Sequence, residues 1–287
     1  MPPSFRIIPA NDQQIAAYEW AGESPTLFFA HATGFHARCW DQVVAHLPGH
    51  HSIAVDARGH GKSSKPAPPE GYQWKANGHD LAAVADALDL RGAIGIGHSW
   101  GGYGMVIAAA QTRAEQRFSR LILLDAVIVP DEVYTGNQDG FHFSAKRRAD
   151  WNSPDEMIER FKDRPPFIRW NPQVLRDYCE YGLLPKPEGG YTLACPPEIE
   201  SSIYPQFSGM NPYAEIAAID IPVLVIRFGG RESSAITSDF SASPTVPDLA
   251  SHFKRGTDHV LEGVTHFAPM EDPARIAHVI RDFITQE

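Results

Sequence analysis

The chain has 287 residues, 43% of them hydrophobic, which is enough to bury a large core. Acidic residues outnumber basic ones by 35 to 25, and the net charge of −10 argues against nucleic acid or an anionic membrane as a partner. No apolar run reaches the roughly 18 residues of a membrane-spanning helix, and no secretory signal is visible at the start. Cys39, Cys179 and Cys195 are scattered and odd in number, so we expect free thiols and a cytoplasmic location.

Short apolar runs alternate with helical patterns over the first 126 residues. Strands are predicted at 5–9, 15–20, 25–31, 51–56, 93–98 and 120–126. Helices are predicted near 38–47, 76–89 and 100–113. The first two strands fit a hairpin that turns at Asn11-Asp12. The later alternation predicts an α/β fold with a mostly parallel central sheet and helices on both faces.

This alternation stops after Ala126. Residues 130–212 are rich in proline, aromatic and charged residues, and the sequence predicts helices there around 154–163 and 172–182. Afterwards, strands are predicted at 221–230 and 259–264, and an amphipathic helix at 271–286. We therefore predict a core formed by residues 1–129 and 213–287 and split by a helical insertion.

The stretch GIGHSWGGYG at 95–104 puts Ser99 between a predicted strand and a predicted helix. Gly97-His98-Ser99-Trp100-Gly101 fills the five places of the G-x-S-x-G nucleophile elbow. Gly97 and Gly101 carry no Cβ, so neighbouring backbone can approach a tight turn. The alternative is an ordinary glycine-rich turn, and partners for the serine elsewhere in the chain would argue against it.

A nucleophilic serine needs a base, and the base needs an orienting acid. The candidate base is His266, which follows the last predicted strand, although an exposed loop histidine is the alternative. Two carboxylates at strand ends are candidates for the acid: Glu232, after strand 221–230, and Asp125, at the end of strand 120–126. We prefer Glu232, because it lies close to where an acid would be expected after its strand, and keep Asp125 as the alternative.

With these residues in the order serine, acid, histidine, the chain resembles α/β-hydrolase-fold serine hydrolases of the carboxylesterase type over essentially its whole length. DARGHGKSS at 56–64 is similar to the family's stabilising Asp-x-Arg-Gly-x-Gly-x-Ser turn. AHATGFHARCW at 30–40 matches the family's His-Gly-x-Pro oxyanion loop in part, because Ala32 and Gly34 stand at its second and fourth places. The resemblance implies that the insertion at 130–212 is a helical cap.

The resemblance also implies an oxyanion hole and a substrate pocket. Its two backbone N–H donors would be those of Trp100, after the nucleophile, and Thr33, in the loop after the third strand. The candidate substrate-binding residues are Phe35, His98, Phe141, Trp170 and Phe267. Aromatic residues at such spacing more often only pack the cap on the core, and that alternative stays open.

Neither a metal nor a cofactor is predicted. No cluster of histidines or carboxylates has the spacing of metal ligands. Gly61-Lys62-Ser63 resembles the end of a phosphate-binding P-loop, but Asp56 stands where that pattern requires its first glycine.

The leading hypothesis is a serine hydrolase that cleaves small to medium carboxylic esters through an acyl-enzyme. C–C bond hydrolysis, lactone opening and cofactor-free perhydrolysis use the same three groups and are the alternatives. A non-catalytic protein of this fold that binds a small molecule is the hypothesis from another class, because such a protein can retain the same residues.

Overall fold

The computed structural model describes residues 2–135, 143–229 and 243–285. The strands of these residues are β1 Ser4–Ala10, β2 Gln13–Trp20, β3 Glu23–Ala30, β4 His50–Val55, β5 Ala93–His98, β6 Phe118–Leu124, β7 Asp150–Trp151, β8 Leu183–Pro185, β9 Tyr191–Leu193, β10 Val223–Phe228 and β11 Gly256–Leu261. Their α-helices are α1 Asp41–Ala45, α2 Trp74–Ala87, α3 Trp100–Gln111, α4 Pro154–Phe161, α5 Pro172–Tyr181, α6 Pro197–Ile203, α7 Tyr213–Ala218, α8 Ala268–Glu271 and α9 Pro273–Thr285.

Eight strands form one sheet in the order β1-β2-β4-β3-β5-β6-β10-β11. The six strands from β4 to β11 in this order pair in parallel, whereas β1 with β2 and β2 with β4 pair antiparallel. The hairpin of β1 and β2 turns at Asn11, whose φ of 48° is left-handed. These findings confirm the predicted α/β fold and its mostly parallel sheet.

The central strands are buried on both faces, as strands between two helix layers must be. All six residues of β5 are buried. In β3, Phe28 belongs to the hydrophobic cluster that includes α2 and α3, while Phe29 belongs to the cluster on the opposite face with α9. Successive side chains of a strand point to opposite faces, so adjacent phenylalanines contribute to two cores.

The insertion contains the helices predicted from its sequence and a sheet that was not predicted. Helices α4 and α5 lie at the predicted positions 154–163 and 172–182. A second sheet has the strand order β7-β9-β8, and its strands are only two or three residues long. Such short strands show no alternating pattern, and this explains why they were missed. The division into a core and a cap remains a prediction.

None of the helices in the described ranges is long and apolar enough to cross a membrane. The longest, α2, has 14 residues, whereas a span needs about 20.

Helices α2 and α3 approach each other closely at Gly78. A Cβ at this position would lie 2.4 Å from Ile107 Cβ and 2.8 Å from the Gly104 carbonyl oxygen. Protein interiors are close-packed, so neither neighbour has room to withdraw. The absence of a side chain at residue 78 therefore permits the contact of the two helices, and α3 is the helix that begins directly after Ser99.

We predict that Gly78→Ala lowers the free energy of unfolding by about 1–3 kcal/mol through overpacking. This change in the free energy of unfolding is opposite in sign to the effect of helix propensity, which favours alanine over glycine by about 1 kcal/mol. The matched control is Gly104→Ala, because its Cβ would approach side-chain atoms that can move, 2.6 Å from Asn77 Nδ2 and 3.1 Å from Leu81 Cδ1. Urea unfolding measures both variants, and a Gly78→Ala protein at least as stable as wild type would contradict this account of the contact.

Candidate active site

Ser99 lies at the turn between β5 and α3 in a backbone conformation that is rare outside glycine. Its φ is 57° and its ψ is −120°. A Cβ at Gly97 would lie 2.5 Å from the Gly101 carbonyl oxygen, and a Cβ at Gly101 would lie 2.5 Å from the Ala30 carbonyl oxygen. The turn therefore requires both glycines, and it has the strand, tight turn and helix that the elbow pattern predicts.

His266 lies between β11 and α8 and contacts Ser99. Its Nε2 is 2.9 Å from Ser99 Oγ, and its Nδ1 is 2.7 Å from Asp125 Oδ2. A carboxylate can only accept a hydrogen bond, so Nδ1 carries the proton and the Nε2 lone pair faces the serine hydroxyl. This is the tautomer that a general base for Ser99 needs.

Asp125 is fully buried at the end of β6. Its Oδ1 accepts hydrogen bonds from the Phe228 N–H, at 3.0 Å, and from the Ser243 hydroxyl. Its own N–H donates to the Ile226 carbonyl oxygen at 2.7 Å. These bonds hold the carboxylate with Oδ2 toward His266, although the φ of Asp125 is 48°.

The carboxylate on His266 thus belongs to Asp125, which the sequence analysis kept as the alternative acid. Glu232, the preferred acid, lies outside the described residues, and so does Phe141. The reason for the proximity of Asp125 is the strand order, because β6 is the direct neighbour of β5, which carries Ser99. The loop after β10 begins one strand further away.

The predicted oxyanion donors lie in two segments that touch. The Phe35 N–H donates to the Ala32 carbonyl oxygen at 3.2 Å, and Gly34 has a φ of 81°, which fits a type II turn with glycine at its third place. The Gly34 N–H donates to His60 Nε2 at 2.9 Å. Within the described residues, the N–H groups of Thr33 and Trp100 donate no hydrogen bond. The role of both groups as oxyanion donors stays a prediction.

A cluster of buried aromatic rings lies beside His266. The ring of Phe35 lies 5.8 Å from that of Trp170, 5.5 Å from that of Tyr178 and 6.1 Å from that of Phe267, between ring centroids. Phe267 in turn lies 5.8 Å from the imidazole of His266. The cluster joins the insertion to the core, and the binding of substrate by Phe35, Trp170 and Phe267 stays a prediction.

His98, another predicted binding residue, is fully buried behind His266. Its Nε2 donates to the His266 carbonyl oxygen at 2.7 Å, and the two rings lie 4.9 Å apart. Burial lowers the pKa of His98 well below its ordinary value, and the nearby His266 lowers it further. The structure gives His98 a contact that supports His266, and its role in substrate binding stays a prediction.

An ion pair of the insertion, with the carboxylate of Glu200 buried and Arg147 partly exposed, covers the turn at Gly34. Arg147 donates one hydrogen bond to the Glu200 carboxylate and another to Tyr178 Oη at 2.7 Å. A Cβ at residue 34 would lie 2.8 Å from Glu200 Oε1. Burial raises the pKa of Glu200 from its ordinary value. Sequence reasoning missed this pair, because residues 53 positions apart in the chain carry no local signal of contact.

Sequence reasoning also missed Ser243 and His60. Ser243 holds Asp125 from a segment without regular structure. His60 was part of the DARGHGKSS motif, which had been interpreted as stabilising only.

Comparisons with known proteins identify the family of the chain. The family described as "Alpha/beta hydrolase family" matches residues 27–279. 3-Oxoadipate enol-lactonase 2 of Acinetobacter baylyi is 26% identical over 262 residues, which cover 90% of this chain and 88% of that protein. Non-heme chloroperoxidase of Streptomyces lividans is 41% identical over 102 residues, which cover 34% of this chain and only 36% of that protein.

Among solved structures, E-2-(acetamidomethylene)succinate hydrolase matches with a TM-score of 0.79 at 20% identity, over 99% of this chain and 100% of that one. At this identity the likeness concerns the fold. The family match at 27–279 spans most of the sequence, and the chain therefore belongs to the alpha/beta hydrolase family and is a hydrolase.

Proposed function

We propose that the protein is a serine hydrolase that cleaves small to medium carboxylic esters through an acyl-enzyme. The observation that carries the proposal is the hydrogen-bonded series from Ser99 Oγ to His266 Nε2, at 2.9 Å, and from His266 Nδ1 to Asp125 Oδ2, at 2.7 Å. A nucleophile, a base and an orienting acid at these distances are the recurrent arrangement for acyl transfer.

The reaction proceeds in two halves. Ser99 Oγ attacks the ester carbonyl carbon while His266 Nε2 takes the serine proton, and His266 then gives that proton to the leaving alkoxide as the C–O bond breaks. A water molecule next gives one proton to His266 and attacks the acyl carbon, and the proton returns to Ser99 as the acid leaves. Asp125 stabilises the imidazolium that forms in each half.

The negative charge on the carbonyl oxygen needs fixed donors. We assign this role to the N–H groups of Thr33 and Trp100, because both are without an acceptor in the described structure. Trp100 is also the first residue of α3, so the partial positive charge of the helix N-terminus supports the same position.

Lactone opening is the second candidate, because 3-oxoadipate enol-lactonase 2 is a relative that aligns over 90% of this chain. A lactone is a cyclic carboxylic ester, so the same attack by Ser99 would open it. The first half of the reaction then leaves the alcohol attached to the acyl group.

The first prediction is serine-dependent turnover of a chromogenic ester series from acetyl to dodecanoyl. Ser99→Ala and His266→Ala are each expected to lower kcat by about 10⁴-fold or more, with a melting temperature close to that of wild type. Equal turnover by wild type and Ser99→Ala would refute the proposed nucleophile. Serine-dependent opening of lactones without turnover of the open-chain esters would favour the second candidate.

The second prediction separates the two carboxylates. Asp125→Asn is expected to lower kcat by about 10³–10⁴-fold, because an amide favours the wrong imidazole tautomer. The fold should persist, since asparagine tolerates the left-handed φ of this position. Glu232→Gln is the matched control and should stay within about twofold of wild type, because the proposed acid on His266 is Asp125. A severe loss of kcat in Glu232→Gln, without a similar loss in Asp125→Asn, would show that Glu232 is the acid.

The third prediction concerns the aromatic cluster. Phe35→Ala is expected to raise the ratio of kcat/KM for dodecanoyl over butanoyl ester by about tenfold, because it enlarges the acyl pocket. Phe161→Ala is the control, since Phe161 stacks on Phe167 with centroids 4.3 Å apart and its ring is not among those that contact Phe35. An equal shift of the chain-length preference in both variants would show that Phe35 does not line the acyl pocket.

A further inference from the structure

The loop 31–37 after β3 is bound to the turn 56–63 after β4 by hydrogen bonds in both directions. The Ala57 N–H donates to His31 Nε2 at 2.9 Å. In the opposite direction, the Gly34 N–H donates to His60 Nε2 at 2.9 Å, and the Ala37 N–H donates to Asp56 Oδ1 at 2.8 Å. The DARGHGKSS motif therefore contacts the loop of the proposed oxyanion hole at its start, middle and end.

His60 is held in one tautomer with its lone pair toward Gly34. Its Nδ1 lies 2.9 Å from the Arg58 carbonyl oxygen, which can only accept, so Nδ1 carries the proton and Nε2 does not. The side chain is fully buried, and burial keeps the pKa of His60 well below its ordinary value. The imidazole is thus a neutral, oriented acceptor for one backbone N–H.

The Gly34 N–H belongs to the central peptide of the turn from Ala32 to Phe35. Rotation of this peptide would convert a type II turn into a type I turn and reverse the directions of the Thr33 C=O and the Gly34 N–H. The hydrogen bond to His60 opposes that rotation. It also consumes the Gly34 N–H, whereas the N–H of the preceding residue, Thr33, donates no hydrogen bond within the described structure.

His60 contacts the other side of the proposed hole as well. Its ring lies 5.6 Å from that of Trp100, between centroids, and 5.1 Å from that of His31. The buried side chain of His60 therefore contacts Trp100, the residue of one proposed donor, and Gly34, the neighbour of Thr33, the residue of the other.

We propose that His60 is a positioning residue that aligns the oxyanion hole by accepting the Gly34 N–H. This inference rests on the proposed function, since it assigns the aligned N–H groups to an oxyanion. His60 itself contacts neither substrate nor reacting atoms in this role, and it acts through the backbone of Thr33 and Gly34.

The test compares His60→Gln with His60→Leu. The Gln Oε1 can accept the Gly34 N–H in place of Nε2, whereas leucine fills similar space without an acceptor. Should the leucine variant not fold, His60→Asn replaces it, because the asparagine carbonyl is too short to reach Gly34. Ser63→Ala is the control from the same turn, since Ser63 Oγ accepts the Ala16 N–H of β2 at 2.8 Å and donates to the Asp56 carbonyl oxygen at 2.6 Å, and neither partner atom belongs to the loop 31–37.

Three quantities are measured for each variant: kcat and KM on the preferred ester, the inhibition constant of a trifluoromethyl ketone of matched chain length, and the rate at which a fluorophosphonate labels Ser99. The ketone adduct and the phosphonylation transition state both develop negative charge in the hole, whereas KM reports mainly ground-state binding.

We expect His60→Leu to lose about 10–100-fold in kcat, in ketone affinity and in labelling rate, because a small misplacement of a donor has effects of this order. KM should change less than about threefold, and His60→Gln and Ser63→Ala should stay within about fivefold of wild type. The proposal is overturned when His60→Leu keeps its ketone affinity and labelling rate, or when His60→Gln loses as much as His60→Leu. A further outcome is that wild type turns over no ester while His60→Leu still loses labelling of Ser99. This result would support the role of His60 and would count only against the proposal of ester cleavage.

Discussion

The order of the central strands determines which side chains can meet at the candidate site. β5 lies between β3 and β6, and all three run parallel, so the loop 31–37, Ser99 and Asp125 emerge at one edge of the sheet. His266 follows β11, two strands beyond β6, and reaches Ser99 because its turn folds back over that edge. In any order that does not place β5 between β3 and β6, the Ser99 hydroxyl would lie away from either the loop 31–37 or Asp125.

The same edge concentrates backbone strain. Ser99 and Asp125 both have left-handed φ values, 57° and 48°, which cost about 1–3 kcal/mol each for residues other than glycine. Neighbouring strands offset this cost, because Ser99 N–H donates to Leu124 O at 3.0 Å and Asp125 N–H donates to Ile226 O at 2.7 Å. Strands that are buried on both faces thus hold the two side chains rigidly, and the proposed chemistry needs that rigidity.

The features that could be predicted from sequence are those with local patterns. The eight strands of the main sheet, the elbow at Ser99 and the position of His266 after the last strand all follow from spacing along the chain. The choice between Asp125 and Glu232 did not, because both carboxylates follow strands and only the spatial order of β6 and β10 separates them. The pairing of Arg147 with Glu200 could not be predicted either, because it joins two parts of the insertion that have no shared periodicity.

Three buried histidines lie in or beside the candidate site. Burial lowers the pKa of His31 to about 4 and the pKa values of His60 and His98 well below the ordinary value, so these rings are neutral near pH 7. Arg147, a partly exposed cation of the insertion, is paired with Glu200. Like charges close to an imidazolium would oppose its formation. The ring of His98, 4.9 Å from that of His266, therefore adds no positive charge beside it, and the contact of His266 with the Asp125 carboxylate at 2.7 Å is made next to a neutral imidazole.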